Sequence, residues 1–144
     1  MTSEEKRFAA LCYLWTLLGA PYDWGGEDPQ GFDCSGLAQE FLRSVGMDPP
    51  GDQGAQGLYR AIKAHQIFET PHSGCLLFYG SDVTNITHVA IAWTDELMIE
   101  AGGGGSRTTT PAAAHSVSAF VRLRPIDRRK DLVAVCDPFQ ASNG

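Results

Sequence analysis

The sequence is short of positive charge: 11 Lys and Arg stand against 17 Asp and Glu, a formal net charge of −6. A nucleic-acid-binding surface needs a basic patch and a high pI, so that class is excluded. No apolar run is long enough to span a membrane. The glycine-rich stretch Gly102–Gly105 lacks the Gly-Lys-Ser/Thr ending of a phosphate loop. Cysteine is scarce, with only Cys12, Cys34, Cys75 and Cys136, and none forms a Cys-x-x-Cys pair or a zinc-type spacing with histidine. Neither a structural metal nor a cofactor is therefore expected. The start, Met1-Thr-Ser-Glu-Glu-Lys-Arg7, is acidic and leads into an amphipathic pattern, which does not read as an export signal. The length of 144 residues suits one domain, taken as 1–144, large enough to bury about two-thirds of its unfolded surface without a staple.

Against these absences stands one segment, Gly31-Phe-Asp-Cys-Ser-Gly36. Small or apolar residues then follow at Leu37, Ala38, Phe41, Leu42 and Val45, with Gly46 as a stop, which predicts a helix capped by Asp33 and opening at Cys34. A helix start presents unpaired N–H groups and the positive end of the macrodipole, which favour a thiolate. Cys34 is a candidate nucleophile on this ground. The same spacing also suits a small buried residue opening an apolar stripe.

A cysteine nucleophile needs a base. Of the four histidines, His65 ends a predicted helix, His72 lies in a Pro-His-Ser-Gly turn and His115 follows a small-residue loop, so all three read as solvated. His88 instead begins Thr87-His-Val-Ala-Ile-Ala-Trp93, whose period of two marks a strand with Val89, Ile91 and Trp93 on one face and His88, Ala90 and Ala92 on the other. The next segment, Glu96–Ala101, alternates likewise. A hairpin centred on Thr94 would set Glu100 directly opposite His88, where a carboxylate can fix the imidazole tautomer. The alternative is a surface His–Glu pair worth roughly 0–1 kcal/mol.

The run from Pro21 to Gly36, with Thr87-His-Val-Ala-Ile91 and Met98-Ile-Glu-Ala101, resembles the NlpC/P60 cysteine peptidases. The resemblance covers most of the chain. It implies a papain-like α+β fold with N-terminal helices packed on an antiparallel sheet. It also implies hydrolysis of peptidoglycan stem peptides, often between D-glutamate and the diamino acid. Carried over by position, Cys34 is the nucleophile, His88 the base and Glu100 the third polar residue, where the family usually has His and sometimes Asn or Gln. Tyr22 matches a tyrosine that bonds substrate or oxyanion, and Asp33 with Ser35 matches a pair that recognises a terminal amine. Gly25, Gly26 and Gly36 allow close backbone approach. Cys75 replaces the aspartate of a Gly-Asp-Leu motif, and it is not assigned catalysis because no histidine is expected near it.

The implied chemistry is proton transfer from Cys34 to His88, attack on an amide carbonyl, an acyl-enzyme, and hydrolysis of the thioester. The Cys34 N–H and Tyr22 would hold the oxyanion. Expected partners are stem peptides, together with a delivery apparatus or an inhibitor protein, for a monomer made in the cytoplasm and carried to the wall by a phage or secretion machine. Arg122, Arg124, Arg128, Arg129 and Lys130 read as a solvated face able to touch anionic polymer. Helices are predicted near 3–18, 33–45 and 53–65, and strands near 75–80, 87–93, 96–101, 118–124 and 132–136. Cys12 is expected on a buried stripe with Phe8, Leu11, Trp15 and Leu18, and the loop 102–114 is a candidate lid. Two rivals stand beside hydrolysis: an amidase or acyltransferase on the same core, and a binding module with a decayed triad. On the peptidase reading, Cys34 is alkylated fastest of the four cysteines and still reacts below pH 7. Slow, uniform labelling of all four in a mass-spectrometric time course would contradict it.

Overall fold

The first two helices begin where a side chain can take up the open N–H groups of the first turn. Helix α1 (Ser3–Thr16) opens on a reciprocal cap: Thr2 Oγ1 accepts from Glu5 N at 3.1 Å, and Glu5 Oε1 accepts from Thr2 N at 2.8 Å. The computed structural model describes residues 1–20, 27–28, 31–51, 54–102 and 120–141. A short hairpin, β1 (Glu27–Asp28) and β2 (Gly31–Phe32), runs into α2 (Cys34–Arg43). Helix α3 (Ala55–Ile62) follows and tightens into a 3-10 turn at Lys63–His65.

The remaining strands are β3 (Gln66–Ile67), β4 (Leu76–Asp82), β5 (Asn85–Ala92), β6 (Leu97–Gly102), β7 (Phe120–Pro125) and β8 (Leu132–Cys136). They form one sheet in the order β3-β8-β4-β5-β6-β7, antiparallel at every pairing. Helices first and an antiparallel sheet after is the α+β organisation expected from the sequence. Among the described residues no helix is long and apolar enough to cross a membrane.

Both faces of the sheet are covered. Leu14, Leu37, Phe41, Leu58 and Ile62 from the helices pack on Leu76, Phe78, Val89, Ile91 and Ile99. On the other face Leu77, Tyr79, Ala90, Ala92 and Met98 form a second apolar layer with Ile67 and Val135 of the neighbouring strands and Ile126, which follows β7. The bulky and small faces read from β5 are thus two apolar layers of different depth.

One irregularity shapes the upper end of β5. Tyr79 pairs with His88 but Gly80 pairs with Ile86, so Thr87 is left out of the ladder as a bulge. Only glycine fits at position 80, since a Cβ there would stand 2.1 Å from the Asn85 carbonyl oxygen. The bulge turns Ile86 to the helix side together with Val89, and Gln56 of α3 fastens it by accepting from Ile86 N at 2.7 Å and donating to the Val83 carbonyl at 2.9 Å.

The inner face of α1 corrects the sequence reading. Ala10, Leu14 and Leu17 are buried, whereas Phe8 is 71% exposed, Trp15 50% exposed and Cys12 exposed. Leu11 and Leu18 are only half-buried against the core. The helix is rolled because Arg7 belongs to the inner face: its guanidinium grips Asp137 through Nη1–Oδ1 and Nη2–Oδ2 bonds, both 3.0 Å, and also donates to the Ser73 carbonyl at 3.0 Å. Arg7, Ala10, Leu14 and Leu17 keep helical spacing, so the charged residue and the apolar stripe lie on one side. Trp15 instead stacks on Trp93 at the surface, with ring centroids 4.9 Å apart. Asp137 is 1% exposed, and removing one partner of a buried ion pair strands the other. Arg7→Ala is expected to cost about 3–5 kcal/mol in urea unfolding, while Cys12→Ser stays near wild type.

Candidate active site

Cys34 is the first residue of α2, and the cap that makes the helix start there is Asp33, whose Oδ1 accepts from Gly36 N at 2.6 Å. The thiol is half-buried against the helix-side core and opens on a cleft of about 220 Å³. The cleft is lined by Asp33, Cys34, Ser35, Gly54, Ala55, Ile86 and Thr87, so it is bounded by the starts of α2 and α3 and by the β5 bulge. Ser35 is buried, and its hydroxyl donates to Asp33 Oδ1 at 3.4 Å. A larger depression of about 580 Å³ around Asp95, Glu96, Pro125 and Asp127 has no cysteine or histidine in its lining.

From β5 the His88 side chain lies close enough to that of Cys34 for the two to interact electrostatically. Its Nε2 donates to Glu100 Oε1 at 2.7 Å. The sequence placed these two directly opposite each other, and the structure corrects that register. Ile91 faces Ile99 and Ala92 faces Met98, which centres the hairpin on Asp95 and, carried on, brings Glu100 across from Ala90. The shift is two residues, so His88 and Glu100 keep the same face, and as diagonal neighbours their side chains are long enough to meet.

Burial alone would lower the His88 pKa, but hydrogen bonds and charge attraction from Cys34 and Glu100 override it and raise it to about 9. Burial likewise works to raise Glu100, yet the bond and charge of His88, with Arg128 and Arg124 nearby, leave its pKa below the usual carboxylate value. Arg128 Nη1 stands 3.8 Å from Glu100 Oε2. The imidazole is therefore held as a cation by a carboxylate on one side and a sulfur on the other. Such a group can pass a proton between a thiol and a leaving amine.

Tyr22, Gly25, Gly26, His115 and residues 103–114 of the candidate lid lie outside the described residues. Tyr79 was not singled out by the sequence. Its ring lies beside His88, with centroids 5.7 Å apart, and its hydroxyl donates to the Ile126 carbonyl at 2.9 Å and touches Met98 Sδ at 3.2 Å. Arg129, paired with Asp131, lies over that ring with its guanidinium carbon 5.1 Å from the centroid. The one signal was its place at the end of the β4 apolar run. A second correction concerns Cys75, which was expected to lack a histidine. His72, Cys75 and Asp137 have their ligand atoms within 4.8 Å of one another, and His72 is bonded to Asp137, not simply solvated.

Residues 19–124 match the model of the NlpC/P60 family. Protein P54 of Enterococcus faecium is 32% identical over 113 residues, 76% of this chain and 19% of that protein. The bifunctional muramidase/DL-endopeptidase CwlT of Bacillus subtilis is 41% identical over 76 residues, 51% of this chain and 22% of that protein. The chain thus spans about a fifth of the length of these curated relatives. Among solved structures, the NlpC/p60 domain of the peptidoglycan hydrolase SagA is 26% identical with a TM-score of 0.68, covering 90% of this chain and 97% of that one. The P60 domain of an antigen of M. avium subspecies paratuberculosis has a TM-score of 0.73 at 21% identity, covering 96% and 98%, and speaks for the fold alone.

The coupled shifts fix the sign of a pH effect. A His88 pKa raised from 6.5 stabilises the fold fully below about pH 6.5, and that contribution fades as pH rises through about 9. A lowered Glu100 pKa stabilises above its ordinary 4.5 and is lost on acidification. Glu100→Gln is expected to bring the His88 pKa down by about one unit or more in an NMR titration. Its stability deficit should be largest between about pH 4.5 and 6.5 and nearly vanish above pH 9.

Proposed function

The chain belongs to the NlpC/P60 family, and on that premise we propose that it is a cysteine endopeptidase that hydrolyses peptidoglycan stem peptides through Cys34, His88 and Glu100. The observation that carries the reading is the buried His88 ring, bonded to Glu100 at 2.7 Å and set beside Cys34, which lines the cleft at the start of α2. Cys34 is the nucleophile, His88 takes its proton, and Glu100 orients the ring and balances its charge. Attack on the amide carbonyl gives a tetrahedral oxyanion beside the Cys34 N–H, which is free for it because the first N–H groups of a helix have no partner within the helix. His88 then protonates the leaving amine, and water returns the thioester to free thiol and carboxylic acid.

Asp33 and Ser35 line the cleft beside the sulfur, so a substrate amine in this position would meet a carboxylate already oriented by the α2 cap. The name DL-endopeptidase carried by CwlT supports a bond between D- and L-residues, and the bond we assign is that between D-glutamate and the diamino acid. Tyr22 is assigned by its place in the sequence as the second oxyanion donor.

Digestion of defined muropeptides, read by mass spectrometry of the new termini, tests this. Cys34→Ala is expected to lower cleavage by roughly a thousandfold or more, and His88→Ala in the same background should add little, because the two act as a unit. Cleavage that survives Cys34→Ala would overturn the reading. Transfer of the acyl group to an added amine in preference to water would assign an acyltransferase instead.

A further inference from the structure

At the opposite end of β4 and β5 from the cleft lies a second meeting of cysteine, histidine and carboxylate. Cys75 adjoins Ala92 there, donor and acceptor being Ala92 N and the Cys75 carbonyl at 2.8 Å, four residues along β5 from His88 or roughly 13 Å. We propose that His72, Cys75 and Asp137 form a binding site for a divalent cation of the zinc type, separate from the cleft. The imidazole nitrogen, the sulfur and a carboxylate oxygen all lie within 4.8 Å of one another. A tetrahedral ion with bonds of about 2.0–2.3 Å sets its donors about 3.3–3.8 Å apart, so side-chain rotation must draw the sulfur in and open the 2.6 Å His72–Asp137 contact.

The donors are held by rigid structure. Cys75 heads β4 in a turn closed by Cys75 N to the His72 carbonyl at 3.1 Å and by Gly74 N to the Ala92 carbonyl at 2.9 Å. Gly74 has a φ of +93°, which favours glycine. Asp137 directly follows β8, and its Oδ1 accepts from Arg7 Nη1 and from Phe139 N, both at 3.0 Å. Its Oδ2 accepts from Arg7 Nη2 at 3.0 Å and from His72 Nε2 at 2.6 Å. The ion would take the place of the His72 proton on that short bond, leaving Arg7 and Phe139 as the outer hydrogen bonds that a ligating carboxylate ordinarily carries. The Cys75 sulfur gives up its proton on ligation, which leaves through the exposed His72 side, so thiolate and carboxylate set two negative charges against the 2+ of the ion and the single positive charge of Arg7. Cys75 and Asp137 are sealed, but the His72 side chain is 42% exposed and marks the entry, where one water completes the tetrahedron. A sulfur in the set favours zinc over magnesium or calcium. Bound metal would tie together α1 through Arg7, the turn before β4 and the end of β8.

The test uses the full chain carrying Cys34→Ala, which removes the cleft thiol as a competing ligand, stripped with chelator and titrated with Zn²⁺ and Co²⁺. Expected are one equivalent bound, a thiolate-to-cobalt charge-transfer band and a rise in Tm with zinc. His72→Gln, at a half-exposed position that tolerates change, should weaken binding by at least tenfold with the fold intact by circular dichroism, and Cys75→Ser should remove the band. Absence of saturable binding in the Cys34→Ala protein, or binding and band unchanged by both substitutions, would overturn the proposal. Because the cleft nucleophile is absent throughout, the result is independent of the peptidase reading.

Discussion

His88 is held between the Cys34 sulfur and the Glu100 carboxylate in a buried setting, and burial by itself would strip the ring of its proton. The charged ring persists because both partners are fixed by elements that cannot drift independently. Cys34 is set by the Asp33 cap at the start of α2, Glu100 by the β5–β6 hairpin, and His88 by the strand that joins them. The bulge at Thr87, the glycine at position 80 and the Gln56 clamp are then parts of one constraint, since they decide which residues of β5 face the cleft and which face the sheet.

A glutamate at position 100 changes the electrostatics from those of a neutral orienting residue. It holds the imidazolium more strongly, and it must itself be kept ionised while buried. Arg128 at 3.8 Å, with Arg124 on the neighbouring strand, supplies that support. Part of the basic run read from the sequence as a solvated face thus has an inward task. Tyr79 adds a wall against which the ring rests, with its hydroxyl turned away to the Ile126 carbonyl.

The two cysteine-histidine-carboxylate groups among the described residues are made of similar parts in different surroundings. Cys34 sits half-open at a helix start, whereas Cys75 is sealed at a strand start, where burial and the Asp137 charge push its thiol up to about 11 despite the backbone bond from the turn. The first setting suits a nucleophile and the second a ligand or a packed thiol, because thiolate character is set by exposure and local charge.

Periodicity and capping are local rules, and what they govern could be read from the sequence alone: the helix that opens at Cys34, the strand that carries His88, and the shared face of His88 and Glu100, which a two-residue error in register leaves intact. Helices preceding an antiparallel sheet were legible for the same reason. The inner face of α1 was not, because Arg7 is turned inward by an aspartate 130 residues away. Nor was the company of Cys75, which depends on β8 lying beside β4 so that Asp137 arrives next to His72. Side-chain spacing along one element is fixed by bond geometry, but which distant charge meets which face is fixed only when the sheet closes, and that was for the tertiary structure to decide.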